Sequence, residues 1–204
     1  MALIYITGAG GSGKDSLQKY LLQCKELSLK KIPIYTTREK REGEQDGVEY
    51  FFCNHSMFLD KVKSGEIAEY RVYNVFDKHG NQIQNYYGTG IPSDINENDY
   101  IGIGTHTSLD SIIKSNIIKE IFYIKIYIST EVQEKRYLNR GGYDENIKKE
   151  LKRRVADEHR PELHYFDNNS CGIPEDHFIL VDNTKFSMDE FFTYVKNELI
   201  ERRR

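Results

Sequence analysis

The hydrophobic residues of this chain form short runs that are separated by longer segments with spaced apolar positions. Short runs of mostly β-branched or aromatic residues predict buried strands, whereas apolar residues that recur every three or four positions predict amphipathic helices. The predicted strands of this kind are 4–6, 100–104, 121–128 and 178–181, and the predicted helices begin near Leu17 and cover 109–118 and 188–200. Because strands and helices alternate, the pattern predicts an α/β fold with a central parallel sheet.

A different pattern, rich in β-prone runs, occupies residues 34–89. Its predicted strands are 32–38, 48–52, 67–76 and 82–87, and the last two flank a hairpin turn at 77–81. A short helix is predicted over 56–64, with Ser56 as its N-cap, Met57 and Phe58 on its buried face and Gly65 at its end. Further along, a charged helical stretch runs from about 130 to 158 and is interrupted by two glycines.

We interpret the chain as one domain, 1–204, with a core formed by 1–33 and 90–204 and a β-rich insertion at 34–89. A length of 204 residues suits a single α/β domain that carries insertions. The net charge is -3, and apart from the terminal arginines no basic block argues for nucleic-acid binding. Three widely spaced cysteines and the lack of a long apolar run predict a cytoplasmic protein that does not enter a membrane.

The first predicted strand leads into a glycine-rich turn, Gly8-Ala9-Gly10-Gly11-Ser12-Gly13-Lys14-Asp15-Ser16, and a helix follows. Glycines let the backbone curl around an anion, and a helix N-terminus adds partial positive charge. The turn therefore predicts a phosphate-binding loop in which Lys14 reaches the β- and γ-phosphates of a nucleotide. A glycine-rich turn without a ligand is the alternative. The residue after this lysine is usually a Ser or Thr that binds magnesium, and here it is Asp15.

A second informative stretch covers residues 36–52. Arg38 and Arg41 lie three residues apart at the end of a predicted strand, where their forked donors can converge on one phosphate. A nearby tyrosine hydroxyl would complete such a site. From the residues alone, a second anion site and a solvated charged turn are equally good interpretations.

Taken together, the motifs of this chain resemble those of guanylate kinases. The shared motifs are the phosphate loop, Thr36-Thr37-Arg38-x-x-Arg41-x-Gly43-Glu44-x-x-Gly47-x-x-Tyr50-x-Phe52, Glu69-Tyr70, Asn85-Tyr86-Tyr87-Gly88-Thr89, Arg136-Tyr137-Leu138-Asn139-Arg140-Gly141, Arg153-Arg154 and Val181-Asp182-Asn183. They follow the family's order and cover nearly the whole chain. The resemblance implies a P-loop kinase that transfers the γ-phosphoryl group of ATP, with magnesium, to a nucleoside monophosphate, with GMP or dGMP as the expected acceptor.

The resemblance also implies a role for each matching residue. The phosphate of the acceptor would be held by Arg38, Arg41, Tyr50 and Tyr87, and its base would be contacted by Glu69 and Thr89. The charge of the transferring group would be neutralised by Lys14, Arg136, Arg140 and Arg153 or Arg154, with these arginines on a lid at about 130–158. ATP would be bound by residues Gly8 to Ser16 and by Asp182 and Asn183, and magnesium by Asp15.

The chain departs from the guanylate kinase pattern at four positions. Besides Asp15, Ile34 stands where the family has a Ser that donates to guanine O6, and Gly102 and Gly104 stand where it has acidic residues. Ribose bisphosphate kinases share the Gly-Lys-Asp-Ser sequence of this loop, so such a kinase is one alternative. A non-catalytic guanylate kinase-like binding module is another. The base and sugar of the acceptor stay open, as does the choice between a monomer and a homodimer.

Overall fold

The computed structural model describes residues 1–41, 43–76, 81–139 and 172–203. Five parallel strands form the central sheet, in the order β2-β7-β1-β8-β9. The strands of this sheet are β1 (Leu3–Gly8), β2 (Lys30–Lys31), β7 (Tyr100–Ile103), β8 (Ile121–Tyr127) and β9 (Phe178–Asp182). The predicted α/β fold with a central parallel sheet is therefore confirmed.

The helices of the described residues are α1 (Lys14–Gln23), α2 (His55–Lys63), α3 (His106–Ser115), α4 (Thr130–Leu138) and α5 (Met188–Arg202), with a 3-10 turn at Glu175–His177. Alternate residues of β1 enter two different cores. Ile4 and Ile6 pack with residues of α1 and α5, whereas Leu3 and Tyr5 pack with residues of α3. Both faces of the strand are buried, as is typical of a parallel sheet that is covered by helices. None of the described helices is long and apolar enough to cross a membrane.

A second sheet has the order β4-β3-β6-β5, and all its strands fall between residues 34 and 90. They are β3 (Ile34–Thr36), β4 (Phe51–Phe52), β5 (Ile67–Phe76) and β6 (Gln82–Gly90). Strands β5 and β6 form a long antiparallel hairpin, and β3 pairs with the far side of β6. Helix α3 contacts β5, so the second sheet lies against the carboxyl end of the central one.

Several predicted boundaries in this region were wrong. The strand expected at 48–52 is only Phe51–Phe52, because the preceding residues form a turn in which Gly47 N donates to the Tyr50 carbonyl oxygen. Helix α2 begins one residue early because Asn54, rather than Ser56, caps it by accepting a hydrogen bond from Met57 N. Met57, which was predicted to be buried, is exposed, whereas Phe58 is buried as predicted.

Other boundaries differ for similar reasons. Helix α3 begins three residues before the prediction because Thr105 caps it. The strand expected at 32–38 is only β3 (Ile34–Thr36), and it is separated from β2 (Lys30–Lys31) by Pro33, which has no N–H to donate to a sheet. The predicted hairpin turn at 77–81 and the predicted helical stretch beyond 139 lie largely outside the described residues.

Candidate active site

The phosphate loop joins the end of β1 to the start of α1. Gly13 occupies the N-cap position of α1 with a φ of 101°, and no side chain caps the helix. A residue with a Cβ atom would be strained in this left-handed conformation. The first N–H groups of the helix therefore have no side-chain acceptor of their own, which is the arrangement that binds an anion.

Four consecutive carbonyl oxygens of the loop each accept a hydrogen bond from a different side chain. The donors are Lys14 to Ala9 (2.8 Å), Gln133 to Gly10 (2.8 Å), Arg136 to Gly11 (3.0 Å) and Asn183 to Ser12 (2.8 Å). These bonds fix the loop in one conformation. They also offset the partial negative charge of carbonyl groups that would otherwise repel a phosphate.

Arg136 is held against the backbone of the loop. Besides its bond to Gly11, its guanidinium donates to the Asn183 carbonyl oxygen at 3.1 Å, and burial lowers its pKa. A role in neutralising the transferred phosphoryl group stays a prediction for this residue. The other predicted lid arginines, Arg140, Arg153 and Arg154, lie outside the described residues.

The remaining predicted ATP ligands differ in burial. Asn183 is fully buried beneath the loop, whereas Asp182 is exposed and accepts a hydrogen bond from Thr184 N. Ser16 and Asp15 are both exposed in the first turn of α1. Of these four residues, the structure brings only Asn183 into direct hydrogen-bond contact with the loop.

A cleft of about 1350 Å³ separates the start of α1 from the second sheet. Lys14 and Asp15 line one wall, and Tyr50, Arg71 and Tyr87 line the other. Because β7 ends at this cleft, the cleft lies at the carboxyl edge of the central sheet, where open α/β folds bind their ligands.

Arg38 and the two predicted phosphate-binding tyrosines lie together. The Nε atom of Arg38 donates to the Tyr87 hydroxyl at 3.1 Å, and the guanidinium of Arg38 lies 5.5 Å from the centre of the Tyr50 ring. Arg38 Nη2 also donates to both carboxylate oxygens of Glu44, at 2.8 and 3.0 Å, which raises the pKa of Arg38. Arg41 meets the same carboxylate through its backbone N–H, while its side chain is exposed.

The two predicted base contacts are buried and bonded to each other. Thr89 donates from its hydroxyl to Glu69 Oε1 at 2.5 Å, and Glu69 Oε2 lies 3.6 Å from Arg71 Nε. Ile34 pairs with Thr89 across β3 and β6 and lines the cleft. We call this region the base end and define it by Ile34, Gly104 and Thr105, which line the cleft, and by Glu69 and Thr89, which are buried beside them.

His106 begins α3 and is half-buried beside the central sheet. Its Nδ1 atom lies 2.6 Å from the Tyr123 hydroxyl, which in turn lies 2.8 Å from the Thr7 hydroxyl. Thr7 is the residue before the first glycine of the loop. His106 is thus tied to the base of the phosphate loop through Tyr123.

A model of the guanylate kinase family matches residues 1–169 of the chain. The chain belongs to the guanylate kinase family. It is 27% identical over 207 residues to the guanylate kinase of Oceanobacillus iheyensis, an alignment that covers 99% of this chain and 90% of that protein. It is 37% identical to the guanylate kinase of Mycoplasmopsis pulmonis over 87 residues, which cover 43% of this chain and 40% of the relative.

The fold agrees with that of a solved guanylate kinase. The crystal structure of guanylate kinase from Anaplasma phagocytophilum matches with a TM-score of 0.61 and covers 100% of this chain and 87% of that protein. The two sequences are only 18% identical, so this likeness supports the fold alone.

The departures from the guanylate kinase pattern are concentrated around the base end. Ile34 presents an apolar side chain to the cleft, and Gly104 presents none. A Cβ atom at Gly102 would lie 2.8 Å from Ile32 Cγ2 and 3.2 Å from Tyr5 Cδ2. Neither glycine position therefore has room for the acidic side chain of the family pattern without movement of its neighbours.

A ready-made metal centre is not part of the described chain, which has no cluster of three or more His, Cys, Asp and Glu side chains suited to a metal ion. Magnesium in nucleotide kinases is usually held by one or two carboxylates together with substrate phosphates and waters. Asp15 supplies one exposed carboxylate at the start of α1, on the same cleft wall as Lys14. This donor set fits a magnesium ion that arrives with its nucleotide.

Three residues that the sequence motifs did not single out lie at this candidate site: Tyr5, Arg71 and Gln133. Arg71 could have been found, because residues two apart on a strand share a face and Glu69 was already assigned. Gln133 lies three residues before Arg136 on one helix, a spacing that also places side chains together. Nothing in the sequence pattern marked Tyr5.

Proposed function

We propose that this chain is a guanylate kinase that transfers the γ-phosphoryl group of ATP to GMP or dGMP and so forms the diphosphate. The observation that carries the proposal is the cleft that places Lys14 and the phosphate loop opposite Tyr50, Tyr87 and the neighbouring Arg38. A donor phosphate on one wall and an acceptor phosphate on the other is the arrangement that phosphoryl transfer requires.

The chain supplies positioning and charge rather than a nucleophilic side chain. The loop would cradle the β-phosphate of ATP, and Lys14 would stabilise the charge that moves during transfer. Arg38, Arg41, Tyr50 and Tyr87 would hold the acceptor phosphate, and Glu69 would accept hydrogen bonds from the base. Magnesium would neutralise phosphate charge, and Asp15 is the residue that would hold it.

The lid and the compartment belong to the same proposal. Arg136, Arg140 and Arg153 or Arg154 would bring positive charge to the transferring group and exclude water from it. The chain would work in the cytoplasm, where thiols stay reduced, and Cys24 and Cys53 are both free thiols. The acceptor is a small nucleotide, and the chain would act as a monomer or a homodimer.

A coupled assay of ADP release tests the function directly. The acceptors are GMP, dGMP, IMP, AMP and ribose bisphosphate, and a reaction without acceptor corrects for ATP hydrolysis. We expect the highest kcat/KM with GMP or dGMP. Release that requires ribose bisphosphate would refute the proposal in favour of the other kinase, and binding of GMP without release from any acceptor would favour a binding module.

A further inference from the structure

Arg71 is a cation in the cleft to which the matched motifs give no role. It lies two residues after Glu69 on β5. In the antiparallel pairing of β5 with β6, Glu69 lies opposite Thr89 and Arg71 lies opposite Tyr87. Since alternate residues of a strand point to the same face, both side chains project towards the cleft. Arg71 therefore stands between the base end and the tyrosines of the acceptor's phosphate site.

The guanidinium of Arg71 crosses from β5 to the start of α3. Its Nη1 atom donates to the Thr105 hydroxyl at 3.3 Å, and its Nε atom lies 3.6 Å from Glu69 Oε2. That Nε atom is buried and has no hydrogen-bond acceptor in the described structure. A guanidinium offers five N–H donors, and those on the two Nη atoms that do not bond to Thr105 are left for a ligand.

None of the five residues that define the base end has a side-chain N–H group. Ile34 is apolar, Gly104 has no side chain, and the Thr89 hydroxyl already donates to Glu69. The Thr105 hydroxyl caps α3 by accepting a hydrogen bond from Ser108 N, and it lies 2.9 Å from the Ser108 hydroxyl. Arg71 borders this end and lines the cleft, so its guanidinium is placed to donate to a base there.

The base end therefore combines one acceptor group with one donor group. A carboxylate accepts hydrogen bonds only, and a guanidinium donates them only. Guanine presents a matching edge, on which the carbonyl oxygen O6 is an acceptor and the neighbouring ring N–H and exocyclic amine are donors. Arginine is also the side chain that most often reads guanine through O6 in nucleic-acid complexes.

We propose that Arg71 donates to O6 of the acceptor base while Glu69 accepts from its N–H and amine groups. This inference rests on the proposed phosphorylation of GMP. Arg71 then favours 6-oxopurines, because their O6 atom accepts a hydrogen bond from the guanidinium. It disfavours 6-aminopurines, because their amine is a donor and would face the N–H donors of Arg71. The chain would read O6 with an arginine on β5, in place of a hydroxyl at residue 34.

The test compares Arg71→Met, Arg71→Lys and the control Lys19→Met. The control removes a positive charge from another part of the same cleft. Dissociation constants for GMP, IMP and AMP are measured by titration calorimetry, and ADP release is measured in parallel. We expect Arg71→Met to weaken GMP and IMP binding by roughly 10- to 100-fold, and to change AMP binding by less than about threefold.

The ratio of GMP to AMP affinity is the decisive quantity, because a structural role or a phosphate contact would affect both nucleotides alike. Arg71→Lys should retain part of the ratio, and Lys19→Met should retain all of it. If Arg71→Met loses the same factor of affinity for GMP, IMP and AMP, or loses no affinity, the inference is overturned. If Arg71→Met does not fold, as circular dichroism would show, the ratio for Arg71→Lys decides. Binding without ADP release would refute the proposed activity, and the affinity ratio would still decide the role of Arg71.

Discussion

The hydroxyl group of Tyr5 occupies the space that a side chain at residue 104 would need. A Cβ atom added to Gly104 would lie 2.8 Å from Tyr5 Cζ and closer still to the hydroxyl oxygen. Tyr5 is fully buried, and its burial raises the pKa of the phenol. The glycine and the tyrosine therefore form a matched pair, and neither can be interpreted alone.

Gly104→Asp should destabilise the fold rather than restore an acidic base contact. Overpacking of a buried site costs about 1–3 kcal/mol, and here the clash is with a ring that is held on all sides. The double variant Tyr5→Val with Gly104→Asp should be more stable than the two single effects predict, because the smaller side chain makes room for the carboxylate. The measurement is the free energy of unfolding in denaturant. Additive effects would show that the two positions are independent.

Lys14→Ala should lower kcat by about a hundredfold or more, since one preorganised charge donor typically contributes that much to a developing charge. Removing the lysine also removes its bond to the Ala9 carbonyl oxygen, so a modest loss of stability is expected. The assay is ADP release at saturating GMP and ATP, with Lys19→Ala as a control from the same helix. Turnover within a few-fold of the native protein would refute the role of Lys14.

Arg38→Met should weaken the binding of GMP, the phosphoryl acceptor, but not the binding of ATP, the phosphoryl donor. Loss of one charge-assisted contact to phosphate costs about 1.5–3 kcal/mol, or roughly 10- to 100-fold in the dissociation constant for GMP. Arg38→Lys should recover little, because a lysine cannot bond to Tyr87, Glu44 and a phosphate at once.

The matched control is Lys40→Met, which removes an exposed charge from the same turn. Affinities for GMP and ATP are measured separately by calorimetry. If ATP binding falls as much as GMP binding in Arg38→Met, the second sheet does not carry the acceptor site.

Asp15→Asn should raise the magnesium concentration needed for half-maximal activity more than it weakens ATP binding without metal. The reason is that the carboxylate is the hard, charged oxygen ligand that Asp15 offers to the metal, and an amide binds magnesium less strongly. A magnesium titration of ADP release gives the requirement, and nucleotide binding in EDTA gives the reference. If the titration is unchanged, Asp15 acts only as a negative charge at the N-terminus of α1.

Apart from β2, whose two residues are exposed lysines, the strands of the central sheet were predictable because each is a short apolar run beside a recognisable turn or helix. The phosphate loop was predictable for the same reason, since its glycines and lysine are adjacent in the chain. Element ends were less predictable, because the caps Asn54 and Thr105 compete with other polar residues nearby. Of the four residues that the resemblance assigned to the acceptor's phosphate, Arg38 bonds to Tyr87 and lies beside Tyr50, and their role in binding phosphate stays a prediction.

The base end shows why the remaining features could not be predicted. The guanidinium of Arg71 is positioned by Thr105, which is 34 residues away and caps α3. The relation between Tyr5 and Gly104 depends on a ring that crosses from one strand to its neighbour. Contacts of this kind depend on strand order and side-chain direction, which local patterns do not contain.

The four bonded carbonyl groups of the phosphate loop have a consequence for the kinetics of nucleotide entry. Since Lys14, Gln133, Arg136 and Asn183 already hold the loop in the free protein, ordering the loop costs entropy during folding and not during binding. ATP and ADP would then bind to the same loop conformation. Discrimination between ATP and ADP would depend on the γ-phosphate and its own contacts, and product would leave without waiting for the loop to unfold.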